Sequence, residues 1–331
     1  MKAAMLVAAN AVEIHDTDVP SLAAGEVQIK PIRAGICGSD LSLYTGHRNP
    51  PRFPFTLGHE VVARVTAVAP GVTKLKVGDR VVVEPNYTCG TCRFCTSGRG
   101  NICPNKRSTG VTVPGVFADY ASIPAEFAWP VPDSVSDIDA ATIEPLAVSV
   151  HAVKQSGCKA GDTIAIVGCG VIGLLLVHVA VAKGVRVIAH DRVPIKREMA
   201  ARLGALVPET DDLAKLWLDE GVSRVFECAG TVGSTEAAIG SAPRGSKVLI
   251  LGLATSPASF VPLRLVREGV TIEPSLIYDH PDDFVSTIQM VANRVLVPSR
   301  IVTDTLPFAS TNEALQLANT GQSGKVHLAF E

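Results

Sequence analysis

The apolar positions of this chain fall into two rhythms. From Thr163 to Ala182 the sequence TIAIVGCGVIGLLLVHVAVA contains no Asp, Glu, Lys or Arg for 20 residues, a length sufficient by itself to cross a bilayer. Its internal order points elsewhere. Thr163–Val167 is a short β-branched run, Gly168, Gly170 and Gly173 form GxGxxG, and Val171 to Lys183 continues as an apolar helix. A strand, a tight glycine turn and a buried helix use the same residues without any membrane, and no second such segment exists. Val185–His190, Arg224–Cys228 and Ser246–Leu251 read as further buried strands, with helical patterns near Ile195–Leu203 and Ser234–Ile239. Asp162 to about Leu276 is therefore expected to form one doubly wound α/β domain. The strand-like Val270–Tyr278 at its end offers an edge able to pair with its copy across a two-fold axis. The N-terminal part has another texture: short alternating runs such as Glu26–Pro31 and Arg80–Val83 stand between frequent prolines and glycines, the pattern of an irregular β domain.

The glycine turn gains meaning from an acid downstream. Asp191 ends the second strand of the unit, 18 residues after Gly173, where a dinucleotide site needs an acid. Gly168, Gly170, Val171, Ile172 and Gly173 are expected to let the backbone approach a pyrophosphate at the helix N-terminus. The Asp191 carboxylate suits a ribose diol and repels a 2′-phosphate, so NAD is expected over NADP, with neighbouring Arg192 softening the preference.

Glu84 to Cys103, EPNYTCGTCRFCTSGRGNIC, packs four of the eight cysteines into the spacing C-x2-C-x2-C-x7-C, followed by Pro104. A bacterial ferredoxin run also ends in Cys-Pro but has three residues before its fourth cysteine, so there is no direct match. The start, MKAAMLVAANAVEIHD, reaches Glu13 and Asp16 before any signal-like apolar region develops. A cytoplasmic, reducing location is expected, which disfavours disulfides. Cys89, Cys92, Cys95 and Cys103 are expected to enclose a structural Zn²⁺ as a closed thiolate tetrahedron without a place for substrate. Chemistry then falls to Cys37, His59, Glu60 and Glu144: a thiolate, an imidazole and carboxylates suit a catalytic zinc that keeps one position open. Taken singly, each has an ordinary explanation as a buried thiol, a turn histidine or a solvated acid. Their value lies in co-occurrence with the nucleotide motif. With 331 residues, 47% hydrophobic, and a net charge of −2, nothing in the balance calls for nucleic acid or an anionic membrane as partner.

GICGSD around Cys37, GHE at Gly58–Glu60, VGDRVVVEP at Val77–Pro85, the four-cysteine lobe, EPLAV at Glu144–Val148, VGCGVIG at Val167–Gly173 and FECAG at Phe226–Gly230 together resemble the medium-chain, zinc-dependent alcohol dehydrogenases over essentially the whole chain. Glu144 in EPL is similar to the sorbitol (polyol) and threonine dehydrogenase branch. The resemblance implies a β-rich GroES-like catalytic domain at 1–148, with the metal lobe at about 86–105, a doubly wound parallel-sheet (Rossmann) NAD domain at 149–288, and a return to the catalytic domain at 289–331. It further implies Cys37 and His59 as catalytic zinc ligands, Glu60 as ligand and catalytic residue, and Glu144 bound directly or through water. Ser39 is the implied first proton carrier, and Cys228 joins the cofactor site. A small-molecule alcohol or ketone substrate and a homodimer or homotetramer are implied. An amino-alcohol dehydrogenase of the threonine type and a non-catalytic nucleotide-binding protein are the competing readings. Two departures stand out: Ser42 occupies the place of a relay histidine, with Tyr44 and His47 further on, and Ala63 replaces a usual glycine.

Overall fold

The computed structural model describes all 331 residues, and the chain divides into two compact units. One comprises Met1–Glu144 and Asp279–Glu331; the other is Pro145–Tyr278. The second crossing falls at 278/279 rather than 288/289 because the helix Asp282–Ala292 belongs with the N-terminal unit, where Phe284 lies 6.5 Å from the Trp129 ring.

The first unit is built on a seven-stranded sheet. Its main path runs Ala128–Pro130, Arg80–Val83, Glu60–Val68, Glu26–Gly35, Lys325–Ala329 and Val302–Pro307, and Ala121–Pro124 also pairs with Glu26–Gly35. The register places Gly35 opposite Glu60 on one side and His327 on the other. Val27, Ile29, Val65, Val81, Ile123 and Leu328 fill the core beneath it, each such burial worth about 1.5–3 kcal/mol. Ala63, which replaces a usual glycine, lies mid-strand and fully buried, opposite Pro31 and Val81. The methyl is accommodated because the chain passes there as a paired strand, next to a register shift between Pro31 and Arg33 on the neighbouring strand.

The second unit carries a five-stranded, all-parallel sheet in the order Arg186–His190, Thr163–Val167, Val222–Glu227, Lys247–Ile250 and Thr271–Pro274. Its inner strands Thr163–Val167 and Lys247–Ile250 are mainly apolar runs because both faces are covered, whereas the edge strand Thr271–Pro274 is half exposed. The helix Val171–Ala182 is apolar on every side and buries most of its length, so it packs within the domain and spans nothing; no helix is long and apolar enough to cross a membrane. Beyond the outer strand, pairing shrinks to a bridge at Leu206, whose N–H donates to Val187 O and whose carbonyl accepts from Ala189 N–H, both at 2.8 Å. The helices Leu213–Asp219 and Pro262–Glu268 were not among those the periodicity picked out.

Candidate active site

The GICGSD block ends a strand and begins a short helix, Gly38–Tyr44, with Cys37 at the N-cap. The cap is tied by Asp40, whose Oδ2 accepts from the Cys37 N–H at 2.9 Å. Its other oxygen accepts from the Gly58 N–H at 3.0 Å and lies 3.6 Å from His59 Nδ1. One fully buried carboxylate thus joins two ligand-bearing segments. Gly58 has φ +91°, and a Cβ there would strike the Phe117 ring, so this turn requires glycine. Here the chain delivers His59 and then Glu60, the first residue of its strand.

The ligating atoms of Cys37, His59 and Glu60 lie within 4.8 Å of one another. His59 Nδ1 makes no hydrogen bond and lies 3.6 Å from Asp40, on the side from which a carboxylate orients a metal-binding imidazole. Ser39 Oγ is 3.4 Å from His59 Nε2. Burial opposes a charge on the His59 ring, but Asp40 and the Cys37 sulfur outweigh it and draw the pKa well above the ordinary histidine value. Surroundings that favour positive charge this strongly suit a cation. Glu60 Oε1 is buried without a hydrogen-bond partner, an arrangement that is costly unless something occupies the space. The donor set therefore fits a zinc ion with an open position. Glu144, 7% exposed in the first turn of the helix Ile143–Ser156, stands outside this group of three.

Sequence reasoning missed two residues here. Asp40 carried a local signal, an acid at the third position of a capped helix. Lys325 carried none. Its side chain is fully buried, its Nζ donates to Ile36 O at 2.8 Å, and it forms an ion pair with Glu60 Oε2. Gly35 is glycine because a Cβ would run into that pair. Of the alternative relay groups, the buried Tyr44 hydroxyl donates to Asn10 O at 3.1 Å, and His47 is exposed with Nδ1 2.6 Å from Thr45 Oγ1.

The four-cysteine lobe is a second cluster with different geometry. All four thiols are free, and sulfur separations are 3.5 Å (Cys92–Cys95 and Cys89–Cys103) and 3.9 Å (Cys89–Cys95 and Cys92–Cys103). A zinc tetrahedron with Zn–S of about 2.3 Å has edges of about 3.8 Å. The thiols thus sit at the corners such an ion needs. Backbone N–H groups of Thr91 and Cys92 draw the Cys89 thiol down to about 5, whereas burial and then the neighbouring Cys92 and Cys103 thiols push Cys95 up to about 11.

In the parallel-sheet unit the GxGxxG glycines play three distinct parts. Gly168 has φ +95°, and a Cβ there would meet Ala229 N at 2.6 Å; a Cβ at Gly173 would collide with Gly168 O. A Cβ at Gly170 would meet nothing within 4 Å, which leaves open space at the N-cap of the helix beginning with Val171 and Ile172. Backbone donors at such an end suit a phosphate. Asp191 is held with Oδ2 accepting from Cys169 N–H at 2.7 Å and Oδ1 from Val193 N–H at 2.8 Å. Arg192 is exposed, and Arg197 Nη1 donates to Asp191 O at 2.9 Å. Cys228 N–H donates to Val167 O at 2.8 Å, and desolvation, then Glu227 and Cys169, push its thiol well above the ordinary value. Glu227 fastens the same loop: its Oε1 accepts from Ala229 N–H, Gly230 N–H and Ser234 Oγ.

The alcohol dehydrogenase GroES-like domain matches residues 23–133, and the zinc-binding dehydrogenase domain matches 171–293. Sorbitol dehydrogenase of Bacillus subtilis strain 168 is 34% identical, over 96% of this chain and 93% of that protein. Among solved structures, the alcohol dehydrogenase rspB of E. coli CFT073, complexed with NADH, superimposes with a TM-score of 0.93 at 29% identity, covering 100% of this chain and 99% of that one. A zinc-binding dehydrogenase of Sinorhizobium meliloti 1021, bound to NADP, gives 0.90 at 29% identity over 99% and 98%. The chain belongs to the zinc-dependent medium-chain alcohol dehydrogenase family, oxidoreductases acting on CH–OH groups.

Proposed function

We propose that this protein moves a hydride between the carbinol carbon of a secondary alcohol, of the polyol, sugar-alcohol or diol class, and NAD. The observation that carries this reading is the convergence of Cys37, His59 and Glu60 beside Ser39 in a chain that also bears the dinucleotide turn. Cys37, His59 and Glu60 would hold a catalytic zinc, with Glu144 approaching it directly or through water, and the four cysteines a structural one. When bound, zinc supplies the Lewis acidity that eases loss of the alcohol proton. Ser39 would relay that proton, accepting it while passing its own hydroxyl proton on to water, a role supported by its hydroxyl lying 3.4 Å from His59 Nε2. Asp40 keeps His59 oriented by its carboxylate at Nδ1. The turn of Gly168, Gly170 and Gly173 with Asp191 would hold the dinucleotide, whose nicotinamide ring would supply the acceptor for the carbinol hydride and leave a ketone.

NAD is the favoured dinucleotide because the Asp191 carboxylate stands at the ribose end of the turn; Arg192 and Arg197 moderate the bias against a 2′-phosphate. A homo-oligomer is part of the same proposal. The sheet ends in an unpaired edge strand, Thr271–Pro274, and the segment before it exposes Val261, Leu263 and Val266, features suited to a second copy across a two-fold axis.

Reduction of NAD and NADP across sorbitol, 2,3-butanediol and L-threonine, with metal analysis of the same preparation, tests the reading. Turnover of a polyol or diol with NAD, and two zinc ions per chain, is expected. L-Threonine as the sole good substrate would move the protein to the amino-alcohol class. A single zinc per chain, undisturbed by Cys37→Ser, would overturn the catalytic site.

A further inference from the structure

A carboxylate can grasp a metal with one oxygen or with both, and the difference decides how many positions remain for substrate. In this chain the two oxygens of Glu60 are not equivalent. Both are buried and neither makes a hydrogen bond, but Oε2 is the one in ion-pair contact with Lys325 Nζ, which leaves Oε1 without a counter-charge from that lysine. The lysine is as buried as the acid, at 0% exposure each, and a further hydrogen bond to Ile36 O at 2.8 Å, next to Cys37, anchors it. Nothing in the surroundings lets Lys325 swing away: its strand, Lys325–Ala329, is paired on both sides, and Ile36 N–H donates to Val326 O at 3.0 Å. Gly35 opens the space the pair fills.

We propose that Lys325 is a positioning residue that restricts Glu60 to a single metal-binding oxygen, Oε1, and so preserves the open position at the Cys37–His59–Glu60 centre. It does so by occupying Oε2 with a fixed cation of opposite charge. The inference rests on the catalytic-zinc reading proposed above and adds the control of coordination number. Substituting Lys325 with methionine keeps the length of the chain but frees Oε2, so that both oxygens reach the metal and compete with the alcohol.

The test is cobalt substitution of the intact enzyme, with the spectrum of Cys37→Ser subtracted to remove the four-cysteine site. Four-coordinate cobalt absorbs strongly in the visible and five-coordinate cobalt weakly. The wild type is expected to give the strong band, Lys325→Met a band weakened about two-fold or more with metal content unchanged, and Lys325→Arg a band restored. In the zinc enzymes kcat is expected to fall about ten- to a hundred-fold in Lys325→Met, the range seen when a group behind a ligand is removed. If Lys325→Met does not fold, Lys325→Gln, which keeps a donor for Ile36 O, takes its place. An unchanged cobalt spectrum, or loss of the metal from the site, would overturn the assignment of Lys325. Failure of the zinc reading itself is separable, because the wild type would then lack the cobalt band that Cys37→Ser abolishes.

Discussion

The two clusters of potential metal ligands use cysteine in opposite ways. In the lobe, four sulfurs come from one stretch of fifteen residues, Cys89 to Cys103, and their separations of 3.5–3.9 Å leave no corner for anything else. At the other cluster one half-buried sulfur meets an imidazole and a carboxylate carried at the start of the strand Glu60–Val68, and the groups behind them, Asp40 and Lys325, are fully buried. A closed site can be assembled by a loop because its ligands satisfy one another through the metal. An open site must be held by a frame, since one position has to stay empty of protein.

That contrast can be broken from either side. The largest effect is expected from Cys37→Ser: turnover falls by at least about a thousand-fold, since the ligand set is lost, zinc analysis drops by one ion, and the melting temperature changes by only a few degrees. Next comes Cys92→Ser. A structural zinc contributes folding free energy outright, so the other zinc should be lost, protease cleavage between Cys89 and Cys103 should rise sharply, and kcat at low temperature should stay within about ten-fold of wild type. Similar melting curves for the two variants would erase the distinction between frame and lobe.

The frame behind the open site has a pH signature. Burial, then Lys325 and Arg33, push the His327 ring down to about 3. Its Nε2 lies 3.2 Å from Thr142 Oγ1, which donates to Ile138 O and so is left to accept from the ring. A histidine whose folded pKa lies below its unfolded value takes up its proton first in the unfolded chain. Stability is therefore lost as pH falls from about 6.5 toward 3, by on the order of 2 kcal/mol at pH 5. Denaturant melts at pH 7 and pH 5 should show His327→Gln losing less stability over this interval than wild type; equal losses would refute the assignment. The smallest effect is expected from Gly35→Ala. The added Cβ meets the Glu60–Lys325 pair, and overpacking of this kind costs about 1–3 kcal/mol, measurable as a shift in the denaturant midpoint. No shift would mean that the pair relaxes freely.

Much of the nucleotide-binding half was legible because its rules are local. GxGxxG encodes turn, close approach and packing within six residues, and Gly168, Gly170 and Gly173 divide those tasks in the fold as the motif implies. Several parallel strands were readable as apolar runs, whereas the helices Leu213–Asp219 and Pro262–Glu268 carry little periodic signal, because each is seven residues long and Pro262–Glu268 buries no side chain that would give it an apolar face. The four cysteines announced themselves by spacing alone. The return of the C-terminal segment to the first unit was implied by family resemblance, not by periodicity; its strand Lys325–Ala329 pairs with Glu26–Gly35.

By itself, then, the sequence determined the elements whose information is contiguous: the glycine turn with its acid at Asp191, the cysteine lobe, and the short segments carrying Cys37 and His59. Tertiary structure alone decided which acids stand where. Glu60 joins Cys37 and His59 while Glu144 stands apart from their cluster, and Lys325 meets Glu60 although 265 residues (325 − 60) separate them. The physical reason is the cost of burying charge. An ion pair without water is tolerated only where the sheet register delivers both partners and a glycine leaves them room, and no local pattern in the chain encodes that coincidence.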